Sequence, residues 1–313
     1  MPFTAKSGKF NASINTVEFG TGDKAVKIGG ENVFPLYSFD AAIENAPKVG
    51  IEITDFGMEH EPECIKKYYE GCATLADMAR KAASMEGVDF LSFRMEGGDP
   101  NGANKSTEEL IGELKEIADA VDLPLVVCGC KNVEKDAELF SKAAEALNGK
   151  NAVILSAKEE NYKTVGAAAG LAYKQIVGAE SAVDINLAKQ LNVLISQLGV
   201  DSKSVVMNVG SAAVGYGFEY VISTMDRVKA AALQQGDANL QMPIITPVAS
   251  EAWGVKEAMA SETDAPEWGS QEERGIDMEV ETAMAFIAAG SNAVILKHPE
   301  SIKIISGLMK ELV

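Results

Sequence analysis

The chain is short of histidine, cysteine and positive charge. It has only two histidines, His60 and His298, and no G-x-S-x-G turn, so it cannot readily assemble a Ser-His-Asp hydrolytic centre. Four cysteines are too few to staple 313 residues, and reduced thiols are expected. Lys and Arg total 28 against 46 Asp and Glu, a net charge of −18. A surface of that sign repels phosphate backbones and excludes nucleic acid as a partner. No window approaches the roughly 18 consecutive apolar residues of a membrane span. The opening MPFTAKSGKF has neither the basic start nor the apolar run of a signal peptide. A cytoplasmic protein with no membrane partner is expected.

What is present is apolar material, 47% of the residues, arranged in alternating patterns. Eight β-rich runs fall at 49–56, 88–95, 124–129, 151–157, 176–183, 204–210, 243–249 and 292–298. Between them lie amphipathic stretches. In DINLAKQLNVLISQLG (184–199), Ile185, Ala188, Leu191, Ile195 and Leu198 share one face, Asp184 is placed to cap the start, and Gly199 suits a left-handed exit. Pro62 and Pro299 fall where helices begin, and Pro124 and Pro243 open strands. NAVIL occurs at 151–155 and again at 292–296, in the fourth and eighth runs. Eight β-α units over residues 48–313 predict an α/β fold, a (β/α)8 TIM barrel with its working loops at the C-terminal strand ends. The alternative is an open doubly wound sheet, whose glycine-rich fingerprint is missing after the first strand. Residues 1–47 read as an N-terminal extension. KAVKIGGENVFPLYSFD (24–40) predicts a β-hairpin turning at Gly29–Gly30, which either plugs the bottom of the barrel or serves as a docking surface.

In this frame Cys128 and Cys130 lie where the third barrel strand meets its loop. Zinc or an iron–sulfur cluster needs about four ligands, and no second close pair exists, so two structural thiols are the better reading. Lys297 and Lys158 follow strands eight and four; either is a Schiff-base candidate or, more simply, an ion-pair partner at the rim. Arg94, Glu96 and Asp99 gather in SFRMEGGDPNG (92–102), which is either a polar ligand site or a salt-bridged turn. The glycine-rich NVGSAAVGYGFEY (208–220) permits close backbone approach but is no P-loop.

Several segments together resemble one family. IGGENVFPLYSFD, DPNG, CGCKNVEKDAE, DINLAKQLN, GYGFEYVISTMDRVKAAAL, MPIITPVASEAWGVKEA, ERGIDMEVETAMAFIAAG and KHPES are similar to segments of the corrinoid iron–sulfur proteins of the acetyl-CoA (Wood–Ljungdahl) pathway. The resemblance runs from about residue 24 to the C-terminus. That family forms a heterodimer in which both subunits carry a barrel and the large one also bears a four-cysteine cluster domain and a corrinoid domain. With no four-cysteine run, and ending after the eighth helix, this chain resembles the small, delta-type subunit.

The resemblance implies a cobalamin-type corrinoid shared at the interface with the large subunit, and no iron–sulfur cluster in this chain. It implies as partners that large subunit, a methyltetrahydrofolate:corrinoid methyltransferase, and acetyl-CoA synthase/CO dehydrogenase. The expected role is to cap the corrinoid and shield its cobalt from water and oxygen during methyl transfer, with no independent turnover. Strand-end residues Asp55, Arg94, Asn208, Thr246 and Lys297 are the candidates for the corrinoid-facing surface, by position alone; Arg94 or Lys297 would donate to corrin side-chain amides. The rival readings are a pterin-binding barrel methyltransferase acting on methyltetrahydrofolate directly, a Schiff-base aldolase, and a scaffold that never touches the corrinoid.

Overall fold

The computed structural model describes residues 8–313. Residues 1–7, on which the leader-free reading of the N-terminus partly rests, lie outside the described residues. Two short strands, β1 (Val17–Phe19) and β2 (Val26–Ile28), pair antiparallel. Eight parallel strands follow: β3 (Lys48–Thr54), β4 (Phe90–Arg94), β5 (Leu125–Cys128), β6 (Val153–Ala157), β7 (Ile176–Glu180), β8 (Val205–Asn208), β9 (Ile245–Pro247) and β10 (Ala293–Leu296). Their order is β8-β7-β6-β5-β4-β3-β10-β9, and a single bridge, Met207 to Ile244, joins the two ends. The first barrel strand thus pairs with the last, Val49 opposite Val294, and the sheet is a nearly closed (β/α)8 barrel rather than an open one. The two NAVIL segments form β6 and β10, half a barrel apart.

The connecting helices are α1 (Glu63–Lys66), α2 (Leu75–Ala83), α3 (Thr107–Ala120), α4 (Val133–Ala146), α5 (Tyr162–Val165), α6 (Ile185–Gln197), α7 (Phe218–Leu233), α8 (Ala249–Ala252), α9 (Lys256–Met259), α10 (Gln271–Ala289) and α11 (Pro299–Leu312). Apart from α7, the helices longer than one turn start at side chains that accept otherwise unpaired backbone N–H groups. Thr74 forms a reciprocal capping box with Asp77, and Ser106, Asn132, Asp184 and Ser270 cap α3, α4, α6 and α10. Gly199 leaves α6 at φ +101°, a conformation that glycine adopts without steric cost. Among the described residues, no helix is long and apolar enough to cross a membrane.

The extension does hold a hairpin, but not the one expected over 24–40: its strands are β1 and β2, and no strand follows Gly29–Gly30 before β3. The reversal is made by residues 20–25, around a 3-10 turn at Gly22–Lys24, and Gly29–Gly30 lie beyond β2. The double glycine imitates a hairpin turn, while the real first strand, VEF, is too short to show a period of two. Gly29 instead lets the chain pass close to Asn15: a Cβ there would sit 2.2 Å from the Asn15 carbonyl oxygen.

The hairpin plugs the N-terminal end of the barrel. Val17, Phe19, Val26 and Ile28 are buried against the inward side chains Phe90, Val126, Val153, Ile176, Val206, Ile245, Ala293 and Ile295. Phe19 meets Phe90 edge-on at 5.5 Å, and Phe90 fits because its neighbour on β3 is Gly50, where a Cβ would come within 2.2 Å of the ring. Burying each such large apolar side chain stabilises by about 1.5–3 kcal/mol. Below the barrel, Glu31 of the extension is ion-paired with Lys229 of α7 at 2.8 Å, and both bond Asn292.

Candidate functional site

Inside the barrel, side chains alternate inward and outward along each strand. The lower inward layer is apolar. One step higher, at the C-terminal ends, the inward positions become polar: Glu52 on β3, Arg94 on β4, Cys128 on β5, Glu180 on β7 and Asn208 on β8. With Ser156 and Lys158 of β6 and its loop, all of these except Glu52, which lies beneath Arg94 as its partner, line an open cavity of about 270 Å³ at the barrel mouth. Its apolar side is built from Phe140, Leu155, Val183 and Pro247.

The charges in the mouth are neutralised in pairs. Arg94 is buried, its Nε 3.0 Å and its Nη2 2.8 Å from Glu52 Oε2. Burial opposes the guanidinium's charge, but Glu52 outweighs it and the Arg94 pKa is raised. Lys158 pairs with Glu180 at 3.2 Å, and Lys131 with Glu251 at 3.1 Å. Ser156 donates to Glu180 Oε2 at 3.0 Å and accepts from Asn208 Nδ2 at 3.1 Å, while Asn208 Oδ1 accepts the Gly210 N–H.

Of the five strand-end candidates, Arg94 and Asn208 line this cavity; Asp55, Thr246 and Lys297 do not. Asp55 is buried, accepts the Gly97 N–H at 2.9 Å and pairs with Lys105 at 3.1 Å, tying two loops together. Lys297 Nζ pairs with the largely buried Glu61 at 2.8 Å. Thr246 is a correction to the expected face. It lies between the inward Ile245 and Pro247, so it points outward, fully buried, and its hydroxyl bonds Ser291 at 2.8 Å. The rim lysines Lys297 and Lys158 are both ion-paired.

Arg94 does not gather with Glu96 and Asp99. Glu96 is exposed in a 3-10 turn and Asp99 accepts the Asn101 N–H at 2.9 Å, while Arg94 turns inward to Glu52. Glu52, Ser156 and Glu180 escaped the sequence reading. A legible signal existed for Glu52, a lone carboxylate two residues from Gly50 in an otherwise apolar strand.

The cysteines are separate. Cys128 faces into the barrel, 3.5 Å from Ser92 Oγ, whereas Cys130 packs toward the helices and bonds Asp136. Burial pushes Cys128 up to about 11 and Cys130 up to about 12, so both stay protonated thiols near neutral pH. Among the described residues, no group of three or more His, Cys, Asp or Glu is placed to hold a metal ion. His298 is buried, stacked on Trp253, and its Nδ1 accepts the Glu300 N–H to cap α11; burial pulls it down to about 4. The adjacent Glu279, fully buried in α10, accepts the backbone N–H groups of Lys297 and His298, and burial pushes it up to about 6.

The connections after β7, β8 and β9, on the same end of the barrel, expose large apolar side chains: Val183, which lines the cavity, Tyr216, Tyr220 in the first turn of α7, Met259 at the end of α9, and Trp268, with Tyr220 66% exposed. Tyr216 donates to Glu257 at 2.6 Å, joining the connections after β8 and β9, and Trp268 lies under Lys256 at 5.3 Å within the latter.

A family model described as CO dehydrogenase/acetyl-CoA synthase delta subunit matches residues 16–310. The chain belongs to this family. Delta subunit 1 of the acetyl-CoA decarbonylase/synthase complex of Methanosarcina thermophila is 29% identical over 300 residues, 94% of this chain and 67% of that one. The delta subunits of Methanothermobacter thermautotrophicus and Methanopyrus kandleri are 31% and 32% identical, covering 95% and 93% of this chain and 75% and 71% of their own. Among solved structures, dihydropteroate synthase from Thermus thermophilus in complex with 4-aminobenzoate aligns with a TM-score of 0.56 at 12% identity, over 95% of this chain and 100% of that one. The Yersinia pestis enzyme with a pterine-sulfa conjugate gives 0.55 at 12%, over 85% and 93%. At such identity the likeness shows the barrel fold alone. The delta family thus shares its barrel with an enzyme family of different sequence.

Proposed function

We propose that the barrel mouth of this delta-family subunit covers a corrinoid held by a large partner subunit while a methyl group is transferred. The observation that supports this most is the coincidence, at one end of the barrel, of an open polar cavity and an exposed apolar rim. When bound, the corrinoid supplies a cobalt that accepts and releases the methyl group. This chain's residues contribute cover. Val183, Tyr216, Tyr220, Met259 and Trp268 exclude water from the covered face, and the cavity takes an edge group. At about 270 Å³ the cavity lies below the roughly 300–1,000 Å³ that encloses a drug-sized ligand, so a macrocycle would lie across the rim rather than inside it. The donors and acceptors of Lys158, Ser156 and Asn208 fit the amide side chains of a corrin.

With its mouth charges paired, His298 committed to a helix cap and the thiols of Cys128 and Cys130 protonated, the subunit carries no turnover of its own in this reading. The methyl group comes through a methyltetrahydrofolate:corrinoid methyltransferase and leaves to acetyl-CoA synthase/CO dehydrogenase, in the cytoplasm. The test is a visible absorption spectrum of the chain purified alone and after co-expression with a corrinoid-bearing large subunit. A colourless chain that co-elutes with the coloured partner supports the cover; a chain that ignores that partner contradicts it. A pterin-binding methyltransferase is favoured by one feature, the Glu180–Asn208 pair at the strand ends, whose carboxylate and amide suit a pterin's ring edge. Methyltetrahydrofolate binding by the isolated chain, without partner recognition, is the result that selects it.

A further inference from the structure

We propose that the mouth cavity is a receptor for a neutral amide-type group, a primary carboxamide or a lactam, and rejects anions. Its location rests on the cover reading above; its ligand class rests on the wall itself. The wall has no spare cation: Arg94 is committed to Glu52, Lys131 to Glu251 and Lys158 to Glu180. The remaining wall carboxylate, Asp136, accepts the Cys130 N–H at 2.8 Å. An entering carboxylate or phosphate would meet Glu180 and Glu251 without an uncompensated positive charge to hold it.

The unused hydrogen-bonding capacity has the opposite character. Lys158 donates toward Glu180 and keeps further N–H groups free, and Asn208 Oδ1, which accepts from Gly210, keeps a second lone pair. Two wall atoms are buried with no hydrogen-bond partner, Ser211 Oγ and Arg94 Nη2. Nη2 is close to Glu52 but makes no aligned bond to it. Buried polar atoms left in this state are destabilising unless a ligand or water completes them. Residues with spare donors and acceptors therefore line the same cavity as the apolar Phe140 and Leu155. A group that both donates and accepts, carries no charge and lies flat satisfies them together. An amide does this, whether it hangs from a corrin ring or forms the lactam edge of a pterin.

The experiment is isothermal titration of the full-length chain with three probes: dicyanocobinamide, whose side chains are carboxamides; the same corrinoid with those amides hydrolysed to carboxylates; and 6-methylpterin. Asn208→Leu and Ser211→Val are tested beside wild type, each first shown by its melting curve to be folded. The expected result is that a neutral probe binds, that the carboxylate form binds at least about tenfold more weakly, and that Asn208→Leu weakens the neutral probe by about tenfold. Cobinamide binding points to the corrin as the source and 6-methylpterin binding to a pterin, and either supports the ligand class. Equal or tighter binding of the carboxylate form overturns it, as does unchanged binding in both folded variants, or no binding of either neutral probe at millimolar concentration. Partner co-elution separates the two claims. If both variants still co-elute with a corrinoid-loaded partner while wild type shows no amide preference, the amide receptor fails alone. If wild type shows the preference but ignores the partner, the cover reading fails alone.

Discussion

Replacing Arg94 with methionine tests how the mouth is built. Arg94 is 6% exposed and Glu52 2% exposed, with the guanidinium 2.8 Å from the carboxylate. Removing the cation strands a carboxylate inside the barrel, and breaking a buried pair in this way costs about 3–5 kcal/mol. For a chain of 313 residues, 1 kcal/mol moves the melting temperature by about 1.5 °C, so Arg94→Met is expected to melt about 5–8 °C below wild type. The double variant Arg94→Gln/Glu52→Gln, which removes both charges and keeps hydrogen-bonding groups, recovers most of that loss. Arg94→Glu sets two carboxylates together and is worse than Arg94→Met. Charge reversal at Arg94 therefore reports on the barrel before it reports on any ligand. Thermal and urea unfolding of the three variants decide the matter. An Arg94→Met protein within about 1 kcal/mol of wild type, or a double variant no better than the single, refutes the reasoning.

Lys229→Met removes the partner of buried Glu31 and is expected to cost about 3–5 kcal/mol and to raise hydrogen exchange in the plug at Val17–Ile28. Burial raises the Glu31 pKa and the Lys229 pairing lowers it; the pairing wins in wild type. The contribution of Glu31 to wild-type stability is thus full above its ordinary value of 4.5 and is lost as pH falls through the lower folded value, a loss the variant does not show. Glu279 behaves the opposite way: held at about 6 against an ordinary 4.5, it favours the folded state at low pH and loses that contribution as pH rises through 6. Glu279→Gln should accordingly gain roughly 1 kcal/mol relative to wild type between pH 5 and pH 7.5, read from urea midpoints; an unchanged difference contradicts the assignment.

The eight strands were legible because barrel strands buried on both faces are runs of Val, Ile and Leu, interrupted by prolines and glycines at their ends. The closing of the sheet was legible only indirectly, through the phase of the NAVIL echo. The site was less so. Arg94 and Asn208, chosen by strand-end position, line the mouth cavity, but position along a strand does not say which way a side chain points, and Thr246, chosen the same way, faces away from it. The pairings of Arg94 with Glu52 and of Lys158 with Glu180 join residues on neighbouring strands separated by 42 and 22 positions, and no local pattern announces such contacts. Segments that carry the family resemblance contain Glu31, Lys229, Glu279 and His298, which the structure buries in pairs and caps away from the mouth cavity. Part of what identifies the family in this sequence therefore holds the fold together, while other such segments, CGCKNVEKDAE and MPIITPVASEAWGVKEA, also supply mouth residues such as Lys131, Asp136 and Glu251.

The most direct measurement of the cover is the rate at which the corrinoid leaves a large subunit complexed with this chain, followed by visible absorbance with an excess of an apo-corrinoid-binding scavenger. The account predicts slow loss with the wild-type chain and faster loss with a Tyr216→Ala/Tyr220→Ala/Trp268→Ala rim variant that still co-elutes with the partner. Equal rates with the wild-type chain, with the rim variant and with no chain added would contradict it.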